Sequence, residues 1–199
     1  MRLKFSAIIF AAACIITLLI NCKKNDPPVN QYPAEEFGTS FLAVTGFDST
    51  RSINNGADVE TGIEFKPNVK GKITAFVFTI PNPNPALQIT LWRKYPTPTV
   101  MQTYTVNASS AGNQSFQLSS GVELIKDSTY LLSMFTKDFY SHLNKSGAST
   151  TYPKIIGNLT ILNFGYSSMI GQVAGQRYPN IFTNNFYLGD LFFNFQRID

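Results

Sequence analysis

Across most of the chain apolar and polar residues alternate with a period of two, in short runs that stop at Gly, Pro, Asn or Ser. A period of two puts every second side chain on one face of an extended strand, whereas a helix needs a period near 3.6. Beyond residue 36 no stretch holds a 3.6 period long enough for a helix. Such a chain can bury its apolar residues only by pairing strands and covering one face of the resulting sheet. The reading is an all-β fold: an antiparallel, two-sheet, jelly-roll-like β-sandwich forming a single domain over 37–199, with eight or nine strands.

The first candidate strand is 39–45, and 61–66 follows with Ile63 and Phe65 on one face and Glu64 on the other. Segment 72–80 is apolar on both faces, Ile73, Ala75 and Val77 against Phe76, Phe78 and Ile80, which predicts a central strand covered on both sides. The prolines at 81, 83 and 85 end it, because proline donates no ladder hydrogen bond. Leu87, Ile89 and Leu91 then alternate with Gln88, Thr90 and Trp92, the second set read as facing solvent. Further strands are predicted at 100–107, 114–118, 129–136, 158–170 and 188–196, with a largely polar loop over 137–157.

Before the alternation lies a different kind of segment. Arg2 and Lys4 precede a charge-free apolar run over 5–20, and Cys22 follows almost at once. A positive head on an apolar core reads as a secretory signal, and the run is short for a spanning helix, which needs about 20 apolar residues. Its end, Leu19-Ile20-Asn21-Cys22, resembles a bacterial lipobox. That resemblance implies a signal peptide at 1–21 and acylation at Cys22; the alternative is an uncleaved signal anchor. Two or three acyl chains hold a protein firmly to a bilayer where one is marginal. Residues 22–36, rich in Pro and polar groups, read as a flexible tether. The Cys22-Lys23-Lys24 start is similar to Bacteroidota surface lipoproteins, which implies the outer membrane, facing the periplasm or the cell surface.

Composition narrows the function classes. The chain has 16 Lys and Arg against 12 Asp and Glu, but Arg2 and Lys4 belong to the signal, leaving a mature excess of only +2. The basic residues form no stripe, so nucleic acid is not an expected partner. Both cysteines lie at or before position 22, which leaves the domain without a thiol for disulfides or zinc. Most of the chain's seventeen Phe and nine Tyr lie beyond residue 36 and supply a core large enough to fold without either.

Several motifs carry a family resemblance. They are Glu60-Thr61-Gly62-Ile63-Glu64-Phe65, Asn68-Val69-Lys70-Gly71, Ile73 to Phe78, Leu91-Trp92, Val122-Glu123-Leu124, Asp127-Ser128-Thr129-Tyr130 with Ser133, Tyr178-Pro179, and Tyr187-Leu188-Gly189-Asp190. Together they resemble the domain of unknown function 4082 over residues 47–196, departing from it at Asn113 and Leu188, where the family has tryptophan. The resemblance implies an extracellular β-sandwich found beside carbohydrate-active or adhesive modules, with no established activity.

Catalytic constellations are sparse. His142 is the only histidine, it has Ser141 beside it rather than facing it, and no G-x-S-x-G elbow exists, so it reads as a solvated loop residue. Asp58 and Glu60, two apart on an extended chain, share a face about 6.5–7 Å apart; carboxylates flanking a strand start read as hydrated surface charge. A structural calcium on Asp48, Asp127 or Asp190 is compatible with the residues but not indicated by any ligand pattern, and no cofactor is implied. Asp190 reads as part of a polar outer face.

Aromatic residues are the better lead. Trp92 on a solvent face, with Tyr95 following within the same turn, would form a stacking platform for sugar rings. If the strands run up and down, the loops 94–98 and 171–186 share one end, where Trp92, Tyr95 and Tyr178 would cluster as the ligand-binding residues. The alternative is that a loop covers Trp92. The expected function is a lipid-anchored binding module of the cell envelope, for an extracellular glycan; the alternative is a structural or assembly lipoprotein contacting an envelope protein. An enzyme is the least supported class.

Overall fold

The alternating runs pair antiparallel throughout, and they form a two-sheet β-sandwich. The computed structural model describes residues 32–198 except 55, 170 and 176; the signal segment, Cys22 and most of the tether lie outside the described residues. The end of the tether region belongs to the domain: strand β1 (Glu35–Glu36) pairs with Phe195 and Asn194, and Gln196 Nε2 donates to Tyr32 O at 2.7 Å.

One sheet has the order β1-β14-β4-β7, where β4 is Gly71–Ile80, β7 is Gly112–Leu124 and β14 is Asp190–Arg197. The larger has the order β10-β11-β3-β8-β5-β6, built from β3 (Val59–Pro67), β5 (Asn84–Arg93), β6 (Thr99–Ala108), β8 (Tyr130–Thr136), β10 (Lys154–Ile156) and β11 (Leu159–Ser168). A short strand β12 (Ile181–Thr183) also pairs with β11. A third, small sheet sets β9 (Phe139–Leu143) between β2 (Ser49–Ile53) and β13 (Phe186–Leu188). Two of these strands, β9 and β10, fall inside 137–157, so the expected loop there is only partly loop.

The core lies between the two large sheets. Phe65 on β3 packs on Phe193 of β14 at 4.6 Å between ring centroids, and Phe76 on β4 meets Tyr104 of β6 at 5.0 Å. Ile63, Ile73, Phe78, Ile89, Leu91, Leu132 and Met134 fill the remainder, each at most 1% exposed. Burying each such side chain contributes about 1.5–3 kcal/mol, against the cost of ordering it.

Two sequence expectations are corrected here. Strand β4 is central in its sheet but buries one face more fully than the other, with Thr74, Val77 and Thr79 only half-buried. Against β14 its register shifts between Ile73 and Ala75, which pair with Phe195 and Asn194 and leave Thr74 as the extra residue. A bulge of this kind inserts one residue and reverses the alternation, so Ile73 before it and Phe76, Phe78 and Ile80 after it all point inward. Residues 39–45 are not a strand but a helix, α1 (Gly38–Thr45), with Gly38, Phe41 and Thr45 on its buried face. It ends at Gly46, whose φ of 78° is the left-handed conformation that glycine adopts without penalty.

Candidate functional site

The outer face of the larger sheet, away from the core, carries an unusual set of residues. Alternation along β3 sends Ile63 and Phe65 inward and therefore Glu60, Gly62 and Glu64 outward; along β5 and β8 it sends Thr90, Trp92 and Ser133 to the same outer side. All of them are buried, Glu60 at 0% and Glu64 at 2% exposure. After β11 the chain crosses this face at Gly175 and Tyr178 before returning as β12, and it is held down by polar contacts. Gly175 N–H donates to Glu60 Oε2 at 2.9 Å, Tyr178 O–H to Glu64 Oε2 at 2.9 Å, and Ser167 Oγ–H to the carbonyl of Tyr178.

Beneath that crossing Trp92 Nε1–H donates to Ser133 Oγ at 2.8 Å, and Ser133 O–H donates to Glu60 Oε1 at 2.6 Å. The indole meets Tyr178 edge to face at 5.5 Å. The expectation of a solvent-facing Trp92 is therefore corrected: it is 4% exposed and serves as a hydrogen-bond donor in a covered polar layer. Gly62 makes room for this layer, since a Cβ there would run into the Leu132 carbonyl and Ser133. Burial pushes the Glu60 carboxyl above its ordinary value, and its hydrogen bonds from Ser133 and Gly175 offset this only in part.

Four residues along, Glu64 differs in having a counter-ion. Lys94 Nζ sits 2.9 Å from both its oxygens, and the same ammonium lies 5.5 Å from the centroid of Phe182. Burial, followed by the adjacent Glu64 charge, pushes the Tyr178 hydroxyl far above its ordinary range, so it remains a donor.

The covered layer opens at the end of the sheet. A cleft lined by Glu64, Lys94, Tyr95, Pro96, Pro98, Thr129 and Leu162 sits there. Tyr95 stands 79% exposed beside it, and Phe182 is 43% exposed. Phe182 also lines a neighbouring cleft with Tyr152, Asn163, Thr183 and Asn184. Of the three expected ligand residues, Trp92 and Tyr178 are in contact and Tyr95 borders the adjoining opening. Tyr178 lies over the sheet face rather than at its end.

His142 and Asp190 also depart from expectation. His142 is on β9, 4% exposed, with Nε2 2.5 Å from Asp190 Oδ1 and Nδ1 3.1 Å from Thr50 Oγ1. A neutral ring satisfies both contacts by donating from Nε2 and accepting the Thr50 hydroxyl proton at Nδ1. The ring also stacks on Tyr187 at 5.7 Å. It thus ties the small sheet to β14 and is no solvated loop residue, while Asp190 is buried at 8% rather than on a polar outer face. Asp48 accepts from Lys145 N–H and Asp127 pairs with Lys66 at 3.9 Å, so the three aspartates considered for calcium each have separate partners. No group of three or more His, Cys, Asp or Glu converges among the described residues. Glu60, read as hydrated, is the most deeply buried carboxylate of the outer face.

Reading from the sequence missed Glu60, Glu64, Ser133, Lys94 and Phe182. One signal was present: Ser133 interrupts the apolar run Tyr130-Leu131-Leu132-Ser133-Met134-Phe135, and Glu60 and Glu64 flank a glycine on one face of a central strand. Polar groups in such places need partners, and the partners came from distant segments.

A family model described as a domain of unknown function (DUF4082) matches residues 47–187. Among curated proteins no match was found.

Proposed function

The chain belongs to the DUF4082 family, and from that premise we propose that it is a binding module of the cell envelope, anchored by lipid at Cys22, which takes an extracellular glycan at the Tyr95 cleft. One observation carries this reading. A large aromatic ring stands 79% exposed at a cleft whose charged groups, Glu64 and Lys94, are already held in place by each other and by Tyr178. Sugar rings offer an apolar C–H face to an aromatic plane and hydroxyls to fixed donors and acceptors. A site ordered before the ligand arrives loses little entropy on binding. The engagement of Glu60 and His142 inside the protein favours binding over catalysis. In this reading Trp92 positions the cleft and does not touch the sugar.

The test is a glycan array followed by calorimetry on the full chain. Tyr95→Ala is expected to reduce affinity at least tenfold, the loss of about 1.4 kcal/mol or more, with an unchanged melting temperature because the ring is exposed. An affinity that Tyr95→Ala leaves intact sinks this site.

A second reading, docking onto an envelope protein, draws on β6. It ends the larger sheet's strand order and exposes Val100 and Met101, at 42% and 43%. An edge strand of this kind can accept a further strand from a partner. Co-purification of a stoichiometric protein from intact membranes, with no sugar affinity, would favour it.

A further inference from the structure

Tyr95 borders two clefts, and the second one has a different chemistry from the first. On its far side the walls are Arg93, Asp127, Ser128 and Thr129. Arg93 is the last residue of β5 and pairs on one side with Thr99 and on the other with Tyr130, while the next amide, Lys94 N–H, donates to Thr129 O at 3.0 Å. The base of its side chain is therefore held by backbone pairing on both edges, although the side chain itself is exposed.

The charges around Tyr95 are partly spoken for. Lys94 is engaged by Glu64 at 2.9 Å and Lys66 by Asp127 at 3.9 Å. Arg93 has no carboxylate partner among the described residues. The five side chains together present three cations and two carboxylates, and the surplus charge is the guanidinium, the group whose planar fork matches a carboxylate in a bidentate pair. The hydroxyls of Ser128 and Thr129 line the same cleft and offer neutral contacts. Asp127, 62% exposed in its side chain, lies in it too. Its charge is compatible with one isolated carboxylate opposite Arg93 and opposes a dense row of sulfates.

We propose that this second cleft holds the carboxylate of a uronic acid unit, with the sugar ring on Tyr95, so that the glycan recognised is an acidic polysaccharide of uronides. The proposal rests on the glycan reading of the adjoining cleft and adds its chemical class.

The experiment compares each ligand with its own neutralised form. Oligomers of galacturonate, glucuronate and mannuronate, and the same oligomers as methyl esters, are titrated calorimetrically into the full chain at low and high salt, beside neutral oligosaccharides and a heparin fragment. At least one free acid is expected to bind about fivefold more tightly than its ester, the worth of a single exposed ion pair. That advantage is expected to shrink with added salt and to vanish in Arg93→Gln, while Tyr95→Ala weakens acid and ester alike. Equal affinity for acid and ester, binding of neutral sugars alone, or tighter binding of heparin than of any uronide overturns the uronide proposal and leaves the glycan reading standing. Absence of binding to every glycan overturns both.

Discussion

Glu60 is a carboxylate with 0% exposure and, among the described residues, no cation beside it. Two donors, Ser133 O–H and Gly175 N–H, make its burial tolerable. Because burial raises its folded pKa above the ordinary value near 4.5, the native state keeps a proton there that the unfolded chain has already released. Stability contributed by this group therefore falls as the pH rises from about 4.5 towards the folded pKa, by up to ~1.4 kcal/mol per pH unit. Glu60→Gln removes the titration while keeping the shape, with the amide oxygen facing Gly175 and the amide nitrogen facing Ser133. Urea midpoints measured from pH 4.5 to 7.5 are expected to decline less steeply in the variant than in the native protein. Identical slopes would mean that Glu60 does not hold its proton in the fold. Nothing local in Asp58-Val59-Glu60 signals this behaviour; Gly175, which helps to cover the carboxylate, lies far along the chain.

Elements show a similar division. Strands β3 and β5 were legible from their alternation, and β8 from its apolar run. Helix α1 was not, because Gly38-Thr39-Ser40-Phe41-Leu42-Ala43-Val44-Thr45 contains β-branched residues and is too short to display a helical period. What selects the helix is the place prepared for Phe41, which is fully buried with its ring 5.2 Å from Tyr187 and 5.8 Å from Phe192. Phe41→Ala empties that place and is expected to cost about 3–5 kcal/mol, read as a lower urea midpoint. A cost below ~1 kcal/mol would show that the helix is an appendage to the sandwich. Strand β4 failed for a comparable reason: one bulge at its start moved the phase, and two half-patterns of inward residues looked like two buried faces.

For the whole molecule, the sandwich is a rigid frame that brings the ends of β3, β5 and β8 together and so sets Glu64, Lys94, Tyr95 and Thr129 around one opening. A binding role for that opening makes sense only if it faces the envelope or the outside, which depends on the anchor proposed at Cys22. Cys22→Ser is expected to abolish incorporation of labelled palmitate and move the protein out of the membrane fraction, with the far-ultraviolet circular dichroism of the domain unchanged. Labelling that persists in the variant would place the lipid elsewhere or dismiss it.

The order of residues alone determined the all-β class, most strand positions and the family, because a period of two and the turn residues that interrupt it are local properties of the chain. Only the tertiary structure decided that Trp92 lies under a cover, that His142 joins Asp190, and that Tyr95 is the one of the three expected ligand aromatics left in the open. Alternation separates the two faces of a strand, but which face another segment will cover depends on residues more than a hundred positions away, as Gly175 over Glu60 illustrates.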